Sequence, residues 1–138
     1  MRFAYADPPY IGQARKHYKS VEEVYSMTPL RIYIAGPLTA TPESSRERNV
    51  AAAMVAAEGL LAKGHYPFIP HLTHFYDLLL PGLSYAQYLS WDKAWLDVSD
   101  ALFFLGHSPG ADKELRWAEK RGIPVYHNLQ DVPESVLV

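Results

Sequence analysis

Two acidic residues in this chain stand where the surrounding pattern calls for an apolar side chain, and they are the ones with chemistry to offer. In "SYAQYLSWDKAWLDVS" the apolar stripe of a helix over 84–98 runs Tyr85, Tyr88, Leu89, Trp95 and Leu96. Asp92 falls on that stripe, four residues after Tyr88 and three before Trp95. In "SPGADKELRWAEKRG" the inward face runs Ala111, Leu115 and Ala118, and Glu114 sits beside it. Either acid alone could be a satisfied structural residue. Burying a carboxylate is costly unless it is hydrogen-bonded or protonated, so two of them directed inward from different elements suggest a working pair. Paired carboxyls are what glycosidic-bond cleavage requires: one attacks the anomeric carbon and the other handles the proton.

For these acids to meet, the elements carrying them must converge. "RIYIAGP" reads as a buried strand (32–35) ending in a tight Gly-Pro turn. Thr41-Pro42-Glu43 has the form of an N-cap, a proline at N1 and an acid in the first turn. Val50, Met54, Ala57 and Leu61 then recur at helical spacing until Gly64. "HYPFIP" is a second strand, and Pro67, lacking a ladder donor, puts it at a sheet edge. A loop with "HLTH" leads to the Asp92 helix and the strand "ALFFL" (101–105). The Glu114 helix follows, with Ser108 as N-cap, Pro109 at N1 and Gly122 as C-cap. "IPVYHN" is the last strand, and "VPESVLV" gives a final helical turn. This alternation predicts a single α/β domain, a flavodoxin-like (Rossmann-like) parallel sheet in the order 2-1-3-4-5 with helices on both faces. Ligands of such sheets bind at the carboxyl ends of the strands, which gathers "AGPLTA", "PHLTH" and "GHSPGA" around one crevice.

At 138 residues and a net charge of −2 the chain fits one domain with no basic field to attract nucleic acid or a membrane surface. Arg15, Lys16, His17 and Lys19 read as a solvated face. The absence of cysteine excludes disulfides and thiolate metal sites and fits a reducing, cytoplasmic setting. No apolar run approaches a membrane span, and the N-terminus has charges and prolines where a signal peptide has an apolar core.

"RIYIAGP", "SWDKAWLDVSDALFF" and "SPGADKELRWAEKRGIPVY" resemble the nucleoside 2-deoxyribosyltransferase superfamily, which includes nucleoside 5′-monophosphate N-glycosidases. The resemblance covers roughly residues 31–127, so the expected division is an N-terminal extension (1–30) and a catalytic domain (31–138). It implies Glu114 as the nucleophile that forms a glycosyl-enzyme at C1′, Asp92 as the acid that protonates the departing base, and Tyr33 as the hydroxyl that orients the nucleophile. Gly36, Pro37 and Gly110 would line the sugar pocket. Ser108 stands six residues before the nucleophile, where the phosphate-cleaving branch has serine and the free-nucleoside transferases have aspartate. Asp112-Lys113 before Glu114 and Trp117 after it depart from both branches, and the first loop "GPLTATPESSRERN" lacks the phosphate-loop pattern of the monophosphate hydrolases. The implied partners are a nucleoside or nucleotide and further copies of the chain, with no polymeric nucleic acid, no membrane and no cofactor. A helix N-terminus favours anions, so Glu114 is expected to be ionised and the more buried Asp92 to keep a proton near neutrality. The alternative is a non-catalytic nucleotide-binding module of the same fold.

Other motifs are weaker. "ADPPY" matches the active-site signature of DNA amino-methyltransferases, and the first twenty or so residues resemble a fragment of phage-type DNA methylases. The glycine-rich cofactor loop that such an enzyme needs does not accompany it. His71 and His74 lack a zincin glutamate and a third ligand, so they read as loop-lining or base-contacting rather than metal-binding, with His71 the one assigned to the substrate. Trp91, Trp95, Phe103 and Phe104 read as core. Arg46 and Arg48 could meet a phosphate near the first helix start, but exposed arginines are common on helices.

Overall fold

The structure, a computed structural model, describes residues 28–38 and 43–135. The "ADPPY" segment and nearly all of the N-terminal extension lie outside the described residues, as do Thr41 and Pro42 of the expected helix start.

Four strands, β1 (Arg31–Ala35), β2 (Tyr66–Phe68), β3 (Ala101–Phe104) and β4 (Val125–Tyr126), form one parallel sheet in the order β2-β1-β3-β4. This is the expected α/β, flavodoxin-like arrangement, with the proline-bearing β2 at an edge. Three helices cover the sheet: α1 (Glu43–Ala62), α3 (Tyr85–Leu96) and α4 (Pro109–Arg121). A short α2 (Thr73–Leu79) follows a 3-10 turn at Pro70–Leu72.

Side chains alternate across a strand, so β1 and β3 feed two cores. Ile32, Ile34, Ala101 and Phe103 pack with Ala53, Ala57 and Leu60 of α1 and with Val132. Tyr33, Ala35, Leu102 and Phe104 point the other way, against Leu96 of α3 and Ala111 and Ala118 of α4. Tyr33 is thereby delivered to the face that carries both helices with the candidate acids.

The helix ends are set as the sequence implies. Ser84 and Gln87 form a reciprocal capping box at α3. Ser108 Oγ accepts the Ala111 N–H at 3.0 Å, Pro109 opens α4, and Gly122 ends it at φ 75°. Arg121 donates to the carbonyls of Leu96 and Ser99 at 2.8 and 3.1 Å, satisfying the end of α3.

Four expectations are corrected. α1 buries Val50, Ala53, Ala57 and Leu60, while Met54 and Leu61 are about half exposed. The "HLTH" segment is a 3-10 turn running into α2 rather than a loop. Of the expected final turn in "VPESVLV", Val132–Ser135 is not helical and residues 136–138 lie outside the described residues; a 3-10 turn at Leu129–Asp131 precedes it. Phe103 and Phe104 are core, but Trp91 and Trp95 are 37% and 50% exposed, with Trp95 stacked on Phe68 of β2 and Leu96 alone of α3 fully buried.

The C-terminal segment is fastened to the opposite end of the domain. The buried His65 accepts the Leu30 N–H on Nδ1 at 3.0 Å, so its Nε2 carries the proton and donates to the Pro133 carbonyl. Lys63 Nζ donates to the carbonyls of Leu129 and Val132 at 2.7 and 2.8 Å. Among the described residues no helix is long and apolar enough to cross a membrane.

Candidate active site

A cavity of about 650 Å³ opens beside the carboxyl ends of β1 and β3, a size suited to a nucleotide-sized ligand. Gly36 follows β1, His71, Thr73, His74 and Asp77 come from the 3-10 turn and α2, Tyr85, Tyr88 and Asp92 from α3, and Ser108, Gly110, Lys113 and Glu114 from the start of α4. The approach of the two strand ends leaves no room for a side chain at Gly36, where a Cβ would lie 2.8 Å from Leu105 Cβ.

Both acids singled out from the sequence face this cavity. Glu114 is 6% exposed, and the buried Tyr33 hydroxyl donates a short hydrogen bond to its Oε2. Asp92 reaches in from α3, and its Oδ1 is buried with no protein donor. Burial pushes Glu114 up to about 8; the Tyr33 hydrogen bond works against this, and the nearby Asp92 charge adds to it. Burial alone lifts Asp92 to about 7. Burial, then the charges of Glu114 and Asp92, hold the Tyr33 hydroxyl well above its ordinary range, so it stays a donor.

Glu114 is more deeply buried than Asp92, the reverse of the expected order, and burial works against its ionisation while the Tyr33 hydrogen bond works for it. Glu114 lies beyond the first turn of α4, where the favourable field of the helix end has faded, and desolvation dominates. Taken separately, the two values put the proton on Glu114, whereas the hydrogen bonding points the other way. Tyr33 rewards the anion on Glu114, and nothing rewards it on Asp92. Both carboxyls hold their protons to near neutrality and titrate as a coupled pair.

Of the other residues picked from sequence, Gly36, His71, Ser108 and Gly110 line the cavity, and Pro37 does not. Pro37 instead lies over Gly106, its ring 3.7 Å from where a Cβ would stand. His71 is buried, with Nε2 3.1 Å from the Gly36 carbonyl. Burial lowers its pKa, against the smaller opposing effect of the Gly36 and Pro37 carbonyls, so the ring is neutral at pH 7. Arg46 lines the cavity, while the exposed Arg48 turns to Ser45 Oγ at 2.9 Å. Asp77, Tyr88 and Lys113 belong to the lining and were not picked out. An acid in what looked like a loop carries no pattern signal, and Tyr88 read as part of an apolar stripe. Tyr88 donates to Asp77 Oδ1 at 2.9 Å, joining α2 to α3 across the cavity wall. Among the described residues no group of three or more His, Cys, Asp or Glu side chains is placed to hold a metal ion.

No curated protein matches the chain. Residues 30–127 match a family described as "Domain of unknown function (DUF4406)", and the chain belongs to that family.

Proposed function

We propose that this DUF4406 family member cleaves or exchanges the N-glycosidic bond of a nucleoside or nucleoside 5′-monophosphate through a covalent glycosyl-enzyme. The observation that carries this reading is the pair of interacting carboxyls in one cavity, Glu114 buried and Asp92 half-buried, of which only Glu114 is held by a hydroxyl donor. The resemblance of the β1, α3 and α4 sequences to the nucleoside 2-deoxyribosyltransferase superfamily agrees with it. In this scheme the free Oε1 of Glu114 attacks C1′ as the C1′–N bond breaks. The bonding pair leaves with the base, which takes the proton from Asp92. Asp92, now ionised, deprotonates water or a second base, which attacks C1′ and releases Glu114. Tyr33 keeps Oε2 occupied, so one oxygen is positioned to attack.

Ser108 is the candidate for reading a 5′-phosphate, since it lines the cavity at the N-terminus of α4. Self-association, the other implication of the resemblance, is also proposed. It is supported by the exposed Phe75, Leu79, Trp91 and Trp95 on α2 and α3.

The test is incubation with deoxynucleosides, ribonucleosides and their 5′-monophosphates, with free base measured by chromatography. Base release by the parent and a loss of about a thousandfold or more in Glu114→Gln are expected. Binding without release from any substrate would make the chain a nucleotide-binding module. If Ser108 reads phosphate, Ser108→Asp retains the cap but selectively depresses monophosphate turnover.

A further inference from the structure

Three hydroxyl or ring hydrogens on one side of the cavity are already committed within the protein. Thr73 Oγ1–H is given to the Pro70 carbonyl at 2.8 Å, and Tyr88 Oη–H to Asp77 Oδ1 at 2.9 Å. The neutral His71 faces the Gly36 carbonyl at 3.1 Å through Nε2. A carbonyl can only accept, so Nε2 bears the hydrogen and Nδ1 is a lone pair, buried and met by no protein donor. With the Asp77 carboxylate, Thr73, His71 and Tyr88 therefore present acceptors alone. Arg46 and Lys113, which carry donors, come from α1 and α4, and the other polar side chains that α2 and α3 give the cavity are the His74 ring, the Tyr85 hydroxyl and Asp92.

Asp77 belongs to the base end of the cavity in the proposed reaction. Its partner Tyr88 stands one helical turn before Asp92 on α3, and Asp92 is the group assigned to the leaving base. A base placed there must bring hydrogens to that wall, because carbonyl lone pairs facing Asp77 would meet lone pairs. We infer that Asp77, oriented by Tyr88, selects nucleobases that present an exocyclic amino group, such as cytosine or adenine, over their oxo counterparts. This rests on the N-glycosidic reading above and names its substrate class. Sites built to pair a polar substrate group discriminate far better than apolar pockets do, since a mismatch leaves buried groups unpaired.

The experiment compares matched pairs, the cytosine and uracil deoxynucleosides and the adenine and hypoxanthine deoxynucleosides. Each is measured for kcat/KM with the parent and for affinity by calorimetry with the full chain carrying Glu114→Gln. The amino member of each pair is expected to be favoured by about tenfold or more. Asp77→Asn turns an amide N–H₂ toward the base and should erase or reverse that ratio. Tyr88→Phe, which frees Asp77 to rotate, should reduce it. A ratio reads selectivity independently of how much each variant loses in stability. Equal or oxo-favouring selectivity in the parent, or a ratio untouched by Asp77→Asn, overturns this inference and leaves the proposed function standing. Failure of every nucleoside and of every corresponding 5′-monophosphate to bind Glu114→Gln, with no base released from any of them by the parent, overturns both.

Discussion

Asp92 and Glu114 differ in one contact, the Tyr33 hydroxyl, and that contact divides their proposed labour. Asp92→Asn should slow release of poor leaving groups by about a hundredfold and of activated bases much less. An equal loss across leaving groups, read from kcat, would make Asp92 a merely structural acid. The pair also makes a prediction that needs no substrate. An unfolded carboxyl loses its proton near pH 4, whereas these hold theirs to about 7 and about 8. The folded state therefore binds more protons over that interval, so the contribution to stability is full below about pH 4 and is lost as pH rises through 7 to 8. Replacing either acid by its amide removes part of this loss. Melting temperatures across pH 5–9 should show Asp92→Asn and Glu114→Gln gaining on the parent as pH rises. A pH-independent difference would mean that the carboxyls are not perturbed in this way.

At the level of elements, the cavity depends on how closely the ends of β1 and β3 approach. Gly36→Ala would drive a methyl group against Leu105 and displace the carbonyl that holds His71. We expect a loss of about 1–3 kcal/mol in denaturant unfolding, with a raised KM in any assay the parent supports. The strands were legible in sequence because each is a short β-branched or aromatic run, the first three followed within two residues by Gly or Pro and the last preceded by Pro124, and Pro67 located the edge. Asp92 and Glu114 stood out because they interrupt apolar stripes. α1 misled because "AAAMVAAEGLLA" is apolar on nearly every side, so spacing alone could not choose between Met54 and Ala53. α2 has seven residues and no side-chain cap, leaving neither a period nor a start signal to read, and Asp77 was lost with it. Trp91 and Trp95 were assigned to the core on residue type, but α3 rests on the sheet through a narrower strip than its apolar stripe.

For the whole molecule, the family match ends at residue 127, yet the packing does not. Val132 is 2% exposed in the first core, Leu129 fills the space beside Gly59 of α1, and Lys63 holds two carbonyls of this segment. A chain cut after His127 should melt several degrees lower than the full chain, since a buried valine and a partly covered leucine together stabilise by about 2 kcal/mol or more. An unchanged melting temperature would make the segment a passive appendage. His65 adds a geometric consequence. One imidazole spans the amide of Leu30 and the carbonyl of Pro133, so the entry to the first strand and the exit from the last turn are a ring's width apart. A few glycines could close the fold into a circle there, and the circle could be reopened at the exposed Pro81–Gly82 bend without breaking a strand. The order in which the elements are synthesised is thus separable from the way they assemble.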